Sequence, residues 1–285
     1  MNKKLLSLYG LKWNPFAPEV PVEALLSTPK VDNFCWRIEN LAREGGFALV
    51  TGDPGSGKSF ALRLLVERLS ALRDVQVGLL SRPQARAADF YREMGDVFGV
   101  QLVPHNRWAG AKALREQWQR HIDAALFRPV LVVDEAQEMP SAVLNELRLL
   151  SSSRLDSHTL LTTVLCGDGR LLEALRTETL APLGSRMRVR LTLERASAAE
   201  LEECLHHALG KAGAPRLMTP ELATTLCEHA AGNYRTLMNL AGDLLAAGAQ
   251  REARSLDEKL FLEVFAIPAP GAEPAKAAAA GRRRR

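Results

Sequence analysis

"FALVTGDPGSGKSFAL", residues 47–62, is the stretch that decides the fold. Its first four residues are apolar and read as a strand, and its last residues read as the opening of a helix. Between them the glycines let the backbone follow a path that side chains would block. Gly52, Gly57, Lys58 and Ser59 fit G-x-x-x-x-G-K-[ST], in which backbone N–H groups turn inward onto phosphate oxygens and the helix N-terminus adds its partial positive charge. A chance match in a chain of this length is on the order of one in a hundred, before a preceding strand and a following helix are also required. The candidate nucleotide-binding set is therefore Gly52, Asp53, Pro54, Gly55, Ser56, Gly57, Lys58, Ser59 and Phe60. Lys58 is expected at the β- and γ-phosphates and the Ser59 hydroxyl on Mg²⁺.

A second element lies downstream in "PVLVVDEAQ", residues 129–137. Asp134 closes an apolar strand and is expected to share the Mg²⁺ shell with Ser59. Glu135 would orient and deprotonate the attacking water. "DEAQ" is also a helicase-like box, but no second helicase motif follows it. The guanine-reading N-K-x-D is absent, which favours ATP over GTP.

Outward from the loop, Val31, Phe34, Ile38 and Leu41 recur at helical spacing, ended by Gly45-Gly46. Leu62, Leu65, Leu69 and Leu72 mark the helix after the loop, residues 75–80 a strand, and 86–98 a helix. Residues 108–126 predict a long amphipathic helix with Leu114, Trp118, Ile122 and Leu126 on one face. Residues 130–133, 160–165 and 189–193 are β-rich runs, with helical segments after the first two. Alternating strands and helices predict a parallel sheet covered on both faces. Beyond Leu193 only helical periodicity remains, with Ser197 and Thr219 as N-caps and Pro220 at a first helical position.

The expected organisation is an N-terminal segment and αβα ATPase domain over 1–195, then a helical lid over 196–267. A Pro/Ala-rich, disordered tail over 268–285 ends in Arg282–Arg285. The net charge of +4 is misleading about a nucleic-acid partner. The tail holds five of the 37 basic residues and one of the 33 acidic ones, so residues 1–267 balance at 32 of each. Only a local patch could bind DNA. No apolar run is long enough for a membrane span, and the opening segment does not read as a secretory signal. Cys35, Cys166, Cys204 and Cys227 lack metal-site spacing and read as reduced core thiols of a cytoplasmic protein. His206 and His207 adjoin, but helical neighbours diverge, so they make no metal site.

Arg186, just before the last strand, and Arg235, opening a lid helix, each read either as a solvated arginine or as a contact to the γ-phosphate. In the second case Arg235 would act within its own subunit and Arg186 as a finger from a neighbour.

Taken together, the chain resembles an AAA+ ATPase of the ExeA/TniB/TnsC-like group. The resemblance rests on "YGLKWNPF" (9–16), the phosphate-binding loop, "LVVDEAQ" (131–137), "LCGDGRLLEAL" (165–175), "GSRMRVRL" (184–191) and "AGNYRTLMNLAGDLL" (231–245). It implies a five-stranded αβα domain with a helical lid and nucleotide between subunits. Arg186 would be the finger, with Arg188 competing for that role, and Arg235 sensor 2. Asp168 falls near the sensor 1 position, where an uncharged polar residue is more usual.

ExeA-type members of the group are secretion ATPases that continue into a membrane span and a wall-binding domain, which this chain is not expected to carry. Stand-alone cores resemble the transposition regulators TniB, TnsC, MuB and IstB. That resemblance implies a homo-oligomeric ring or helical filament that loads ATP, assembles on double-stranded DNA and directs a transposase. The alternative is a protein-only scaffold for a secretion or envelope machine. Arg82, Arg86, Arg107 and Lys112 are the candidate phosphate-tracking cations, and each also fits ordinary surface charge.

Overall fold

The computed structural model describes residues 2–80, 82–101, 107–153 and 158–265, so the 268–285 tail with its arginine run lies outside the described residues. In chain order, α1 (Asn2–Tyr9) and α2 (Pro29–Glu44) precede β1 (Gly46–Gly52), α3 (Lys58–Ser70) and β2 (Val75–Leu80). Next come α4 (Ala87–Phe98), α5 (Arg107–Asp123), β3 (Arg128–Val133), α6 (Ser141–Ser151) and the short pair β4 (Ser152–Ser153) and β5 (His158–Thr159). β6 (Thr162–Gly167), α7 (Gly169–Arg176), α8 (Ala181–Gly184) and β7 (Met187–Leu193) complete the sheet region. The rest is helical: α9 (Ala198–Ala212), α10 (Pro220–Ala230), α11 (Tyr234–Gln250) and α12 (Glu258–Phe265).

Five strands form one sheet in the order β2-β3-β6-β1-β7, and every pairing is parallel. The pleat sends alternate residues to opposite faces. Phe47, Leu49, Leu131, Val133 and Leu165 join one core with α4 to α8, while Ala48, Val50, Val130, Val132 and Val164 join another with α2 and α3. Burial on both faces is why these strands read as unbroken apolar runs. A third core, of α1 and α9 to α12, makes up the helical part.

The expected αβα architecture and helical second part are both present. Ser197 caps α9 in a capping box with Glu200, and Thr219 caps α10 with Pro220 in its first turn. The predicted stripe of α5 ends early. The helix closes at Asp123, Ala125 turns the chain with φ 52° towards β3, and Leu126 is left 57% exposed. α3 likewise stops at Ser70, and Leu72 packs from a turn against the same core. The N-terminal segment does not share the sheet's core. Leu5, Leu11 and Phe16 are buried with Leu201, Leu205 and Leu245 of the helical part. Among the described residues, no helix is long and apolar enough to cross a membrane.

Candidate nucleotide-binding site

Three adjacent strands, β3, β6 and β1, end at one edge of the sheet. Their carboxyl ends deliver Asp134, Asp168 and the 52–57 loop side by side, the usual ligand position in an open α/β sheet. α3 starts inside the loop, so its unpaired N–H groups face the same space.

Lys58 is buried, and its Nζ donates to the carbonyls of Gly52 at 2.8 Å and Asp53 at 3.1 Å. No carboxylate pairs with it among the described residues, and an ammonium has three donors, so charge and one donor remain for an anion. Ser56 Oγ, in the same loop, is buried without a hydrogen-bond partner. Both features fit a phosphate chain. Ser59 Oγ donates to Asp134 Oδ2 at 3.2 Å. Neighbouring corners of an octahedron with Mg²⁺-length bonds lie about 3 Å apart, so these two oxygens fit adjacent corners of one shell. The described residues hold no cluster of three or more metal-binding side chains. A Mg²⁺ here would thus rest on two protein oxygens plus phosphate and water, as this ion prefers.

Glu135 follows Asp134 at φ 51° and ψ 39°, a left-handed conformation that costs a side-chain-bearing residue free energy. Its N–H donates to Asp134 Oδ1 at 2.9 Å, which turns its own carboxylate towards the cavity. Gln137 donates from Nε2 to Glu135 Oε2 and accepts the Asp168 N–H at 3.4 Å on Oε1. It thereby ties two strand ends together. Sequence reasoning gave Gln137 no role, although its place in "DEAQ" was the available signal.

Asp168 caps α7 by accepting the Arg170 N–H at 2.9 Å, and its carboxylate pairs with the Arg170 guanidinium at 3.0 Å. Burial pushes the carboxyl up, but the hydrogen bonds and charge of Arg170 outweigh it and hold the group below its ordinary value. Beneath Asp134, burial and then that carboxylate raise the Cys166 thiol, which stays protonated.

The loop opens into a cavity of about 370 Å³, large enough for a small ligand. Lys58, Ser59, Glu135, Asp168 and Arg235, with Arg63, His207 and Asn239, are in its polar lining. Phe16, Val20, Leu25, Ala208 and Met238 supply apolar lining suited to an aromatic base. The wall contributed by residues 15–26 was missed in the sequence, where "NPF" served only as a family mark.

The structure brings Glu135, Asp168 and Arg235 to one cavity but not Arg186. Arg186 precedes β7, and the β1–β7 register pairs Phe47 with Met187 and Gly52 with Leu193. It therefore sits at the opposite edge of the sheet from the loop, roughly 20 Å away at 3.3 Å per residue. There its Nη1 donates to the Pro182 carbonyl at 2.7 Å. Arg188 pairs with Glu44 at 2.8 Å on the same side. Of the candidate DNA-contacting cations, Arg82 and Arg86 are exposed after β2, and Lys112 pairs with Glu116 at 3.7 Å. Lys112 also lies 5.5 Å from the ring of Trp108, itself 74% exposed. Arg107 opens α5, and its side chain lies outside what is described.

A phosphate loop after β1, an acidic pair at the end of β3 two strands away and a helical part lining the same cavity define the AAA+ P-loop architecture. Comparison with known proteins agrees. Residues 41–175 match the family model described as an AAA domain. The chain is 30% identical over 229 residues to General secretion pathway protein A of Aeromonas hydrophila, an alignment covering 78% of this chain and 41% of that one. It thus spans about two fifths of that relative's length.

Among solved structures it resembles Cdc6p from Pyrobaculum aerophilum, with a TM-score of 0.69 at 15% identity over 85% of this chain and 67% of that one. The Aeropyrum pernix ORC1 protein in complex with DNA gives 0.68 at 17% identity, covering 88% and 67%. Drosophila ORC bound to DNA gives 0.67 at 16%, covering 92% and 65%. At these identities the likeness is one of fold.

Proposed function

We propose that this chain is an ATPase whose site is completed by a neighbouring copy, and that ATP thereby controls its assembly on double-stranded DNA to direct a transposase. The observation that carries the reading is the separation of Arg186 from the loop of its own subunit. An arginine finger that cannot reach its own site must serve another.

In this reading Lys58 and the loop N–H groups hold the β- and γ-phosphates, and Ser59 and Asp134 hold Mg²⁺. When bound there, Mg²⁺ would supply positive charge beside the transferred phosphoryl group. Glu135 orients water and takes its proton, giving ADP and phosphate. Arg235 meets the γ-phosphate from the lid of the same subunit. Asp168 is occupied by Arg170 and by capping α7, which leaves it a supporting rather than a sensing part.

ATP held between Lys58 of one subunit and Arg186 of the next strengthens the interface, and loss of the γ-phosphate weakens it. A ring or helical filament built this way adds up weak phosphate contacts from each subunit, with Arg82, Arg86, Arg107 and Lys112 as the cations to test. The DNA-bound ORC proteins of the same fold support a nucleic-acid partner. A second reading, a protein-only scaffold for a secretion machine, is favoured by the likeness to General secretion pathway protein A. The cytoplasm suits either.

Electron microscopy or filter binding of Glu135→Gln on a long random duplex tests the choice. Cooperative, salt-sensitive binding with ATP and little with ADP or without nucleotide is expected. Equal affinity in all three states, or none in any, would leave the scaffold as the better account.

A further inference from the structure

The first turn of α11 is fastened to the phosphate-binding loop through the loop's own backbone. Asn233 Nδ2 donates to the Pro54 carbonyl at 3.0 Å, and the Tyr234 N–H donates to the Gly55 carbonyl at 3.0 Å. Asn233 Oδ1 accepts the Thr236 N–H at 3.1 Å and caps the helix. One side chain thus starts α11 with its acceptor and pins that start to the loop with its donor. The contact is close: a Cβ built on Gly55 would lie 2.1 Å from Asn233 Oδ1.

The two accepting carbonyls belong to informative peptide groups. The Pro54 carbonyl shares a rigid plane with the Gly55 N–H, and the Gly55 carbonyl shares one with the Ser56 N–H. The Ser56 N–H donates to the Asp53 carbonyl at 3.1 Å, so of the two it is the Gly55 N–H that is left to meet phosphate. A phosphate that reorients or polarises the Gly55 N–H therefore acts on the Pro54 carbonyl that Asn233 holds. Arg235, next but one after Asn233, is exposed in the cavity lining. It makes no hydrogen bond or ion pair among the described residues. Its position is set by the turn that carries it.

We propose that Asn233 is a positioning residue: by tying α11 to the Pro54 carbonyl, it sets where Arg235 stands and so how strongly the site prefers ATP over ADP. The proposal rests on the reading above that Arg235 meets the γ-phosphate. Asn233→Asp keeps a cap of equal quality but removes the donor and sets a carboxylate against the Pro54 carbonyl. Asn233→Ser keeps a capping hydroxyl that is too short to bridge to the loop, and serves if the first variant folds poorly.

The experiment measures affinities for a non-hydrolysable ATP analogue and for ADP in the parent, these variants, Arg235→Ala and the double variants. The analogue-to-ADP preference should fall about tenfold in each single variant, the scale of one charge-assisted hydrogen bond. A double variant should resemble Arg235→Ala alone, because Asn233 acts through Arg235. An unchanged preference in both Asn233 variants while Arg235→Ala loses it, or effects that add in full, would overturn the positioning role. An unchanged preference in Arg235→Ala would overturn the γ-phosphate reading, and the proposal with it.

Discussion

Gly55→Ala should destabilise the protein well beyond the ordinary cost of its backbone conformation. Gly55 has φ 83°, and a side chain at such an angle costs about 1–2 kcal/mol. The added Cβ also needs the space held by Asn233 Oδ1, 2.1 Å away. Asn233 can yield only by leaving Pro54 and Thr236, which removes a lid-to-loop hydrogen bond and a helix cap worth about 1 kcal/mol each. Gly99→Ala is the control, because Gly99 has φ 67° with nothing within 4 Å of its built Cβ. Any gain from a stiffer unfolded chain is common to both variants and cancels. The expected difference is about 2 kcal/mol, or roughly 3–4 °C in melting temperature for a protein of this size. Thermal unfolding without nucleotide reads it directly. Equal melting temperatures for the two variants would refute the claim that the lid is held on the loop.

Lys58→Ala should lose ATP binding, since among the described residues no other buried cation lines the loop, whereas Glu135→Gln should bind ATP and fail to hydrolyse it. Fluorescent-nucleotide titration beside phosphate release separates the two, and parental turnover in Glu135→Gln would remove Glu135 from its assigned role. Burial pushes the Cys35 and Cys227 thiols up to about 11 and Cys204 up to about 12, and raises Cys166 as well. At pH 8 all four should be protonated and slow to react with iodoacetamide in the native protein, and fast in urea. Rapid native labelling of any one, read by mass spectrometry, would contradict its place in the core.

The phosphate loop was legible because its geometry is local: strand, glycines, Lys58 and Ser59 are contiguous, and their chemistry fixes their arrangement. Ser197 and Thr219 were legible as caps for the same reason. What periodicity leaves open is the surface against which a face is buried. Leu5 and Phe16 read as apolar, yet nothing in their spacing says that they join Leu201 and Leu245 rather than the sheet. Sequence reasoning gave Asn233 no role of its own, because the bond from its Nδ2 reaches a carbonyl 179 residues away. The hairpin of β4 and β5 has two residues per strand, too short to leave a pattern. Leu126 kept the helical period after the helix had ended, because Ala125 breaks it through φ, which composition does not display. Arg186 became informative only when the sheet order paired β7 with β1 and put it at the far edge.

The central claim is that one subunit's loop works with another subunit's Arg186, and subunit mixing tests it most directly. Arg186→Ala should bind ATP normally and hydrolyse it at least about a thousandfold more slowly, the low end for arginine fingers. Lys58→Ala should be inactive for want of nucleotide. At equal proportions in a head-to-tail assembly, about a quarter of the interfaces should pair an intact loop with an intact finger, and that share of the activity should return. No recovery in a mixture that sizing shows to be co-assembled, or parental activity in Arg186→Ala alone, would contradict the account.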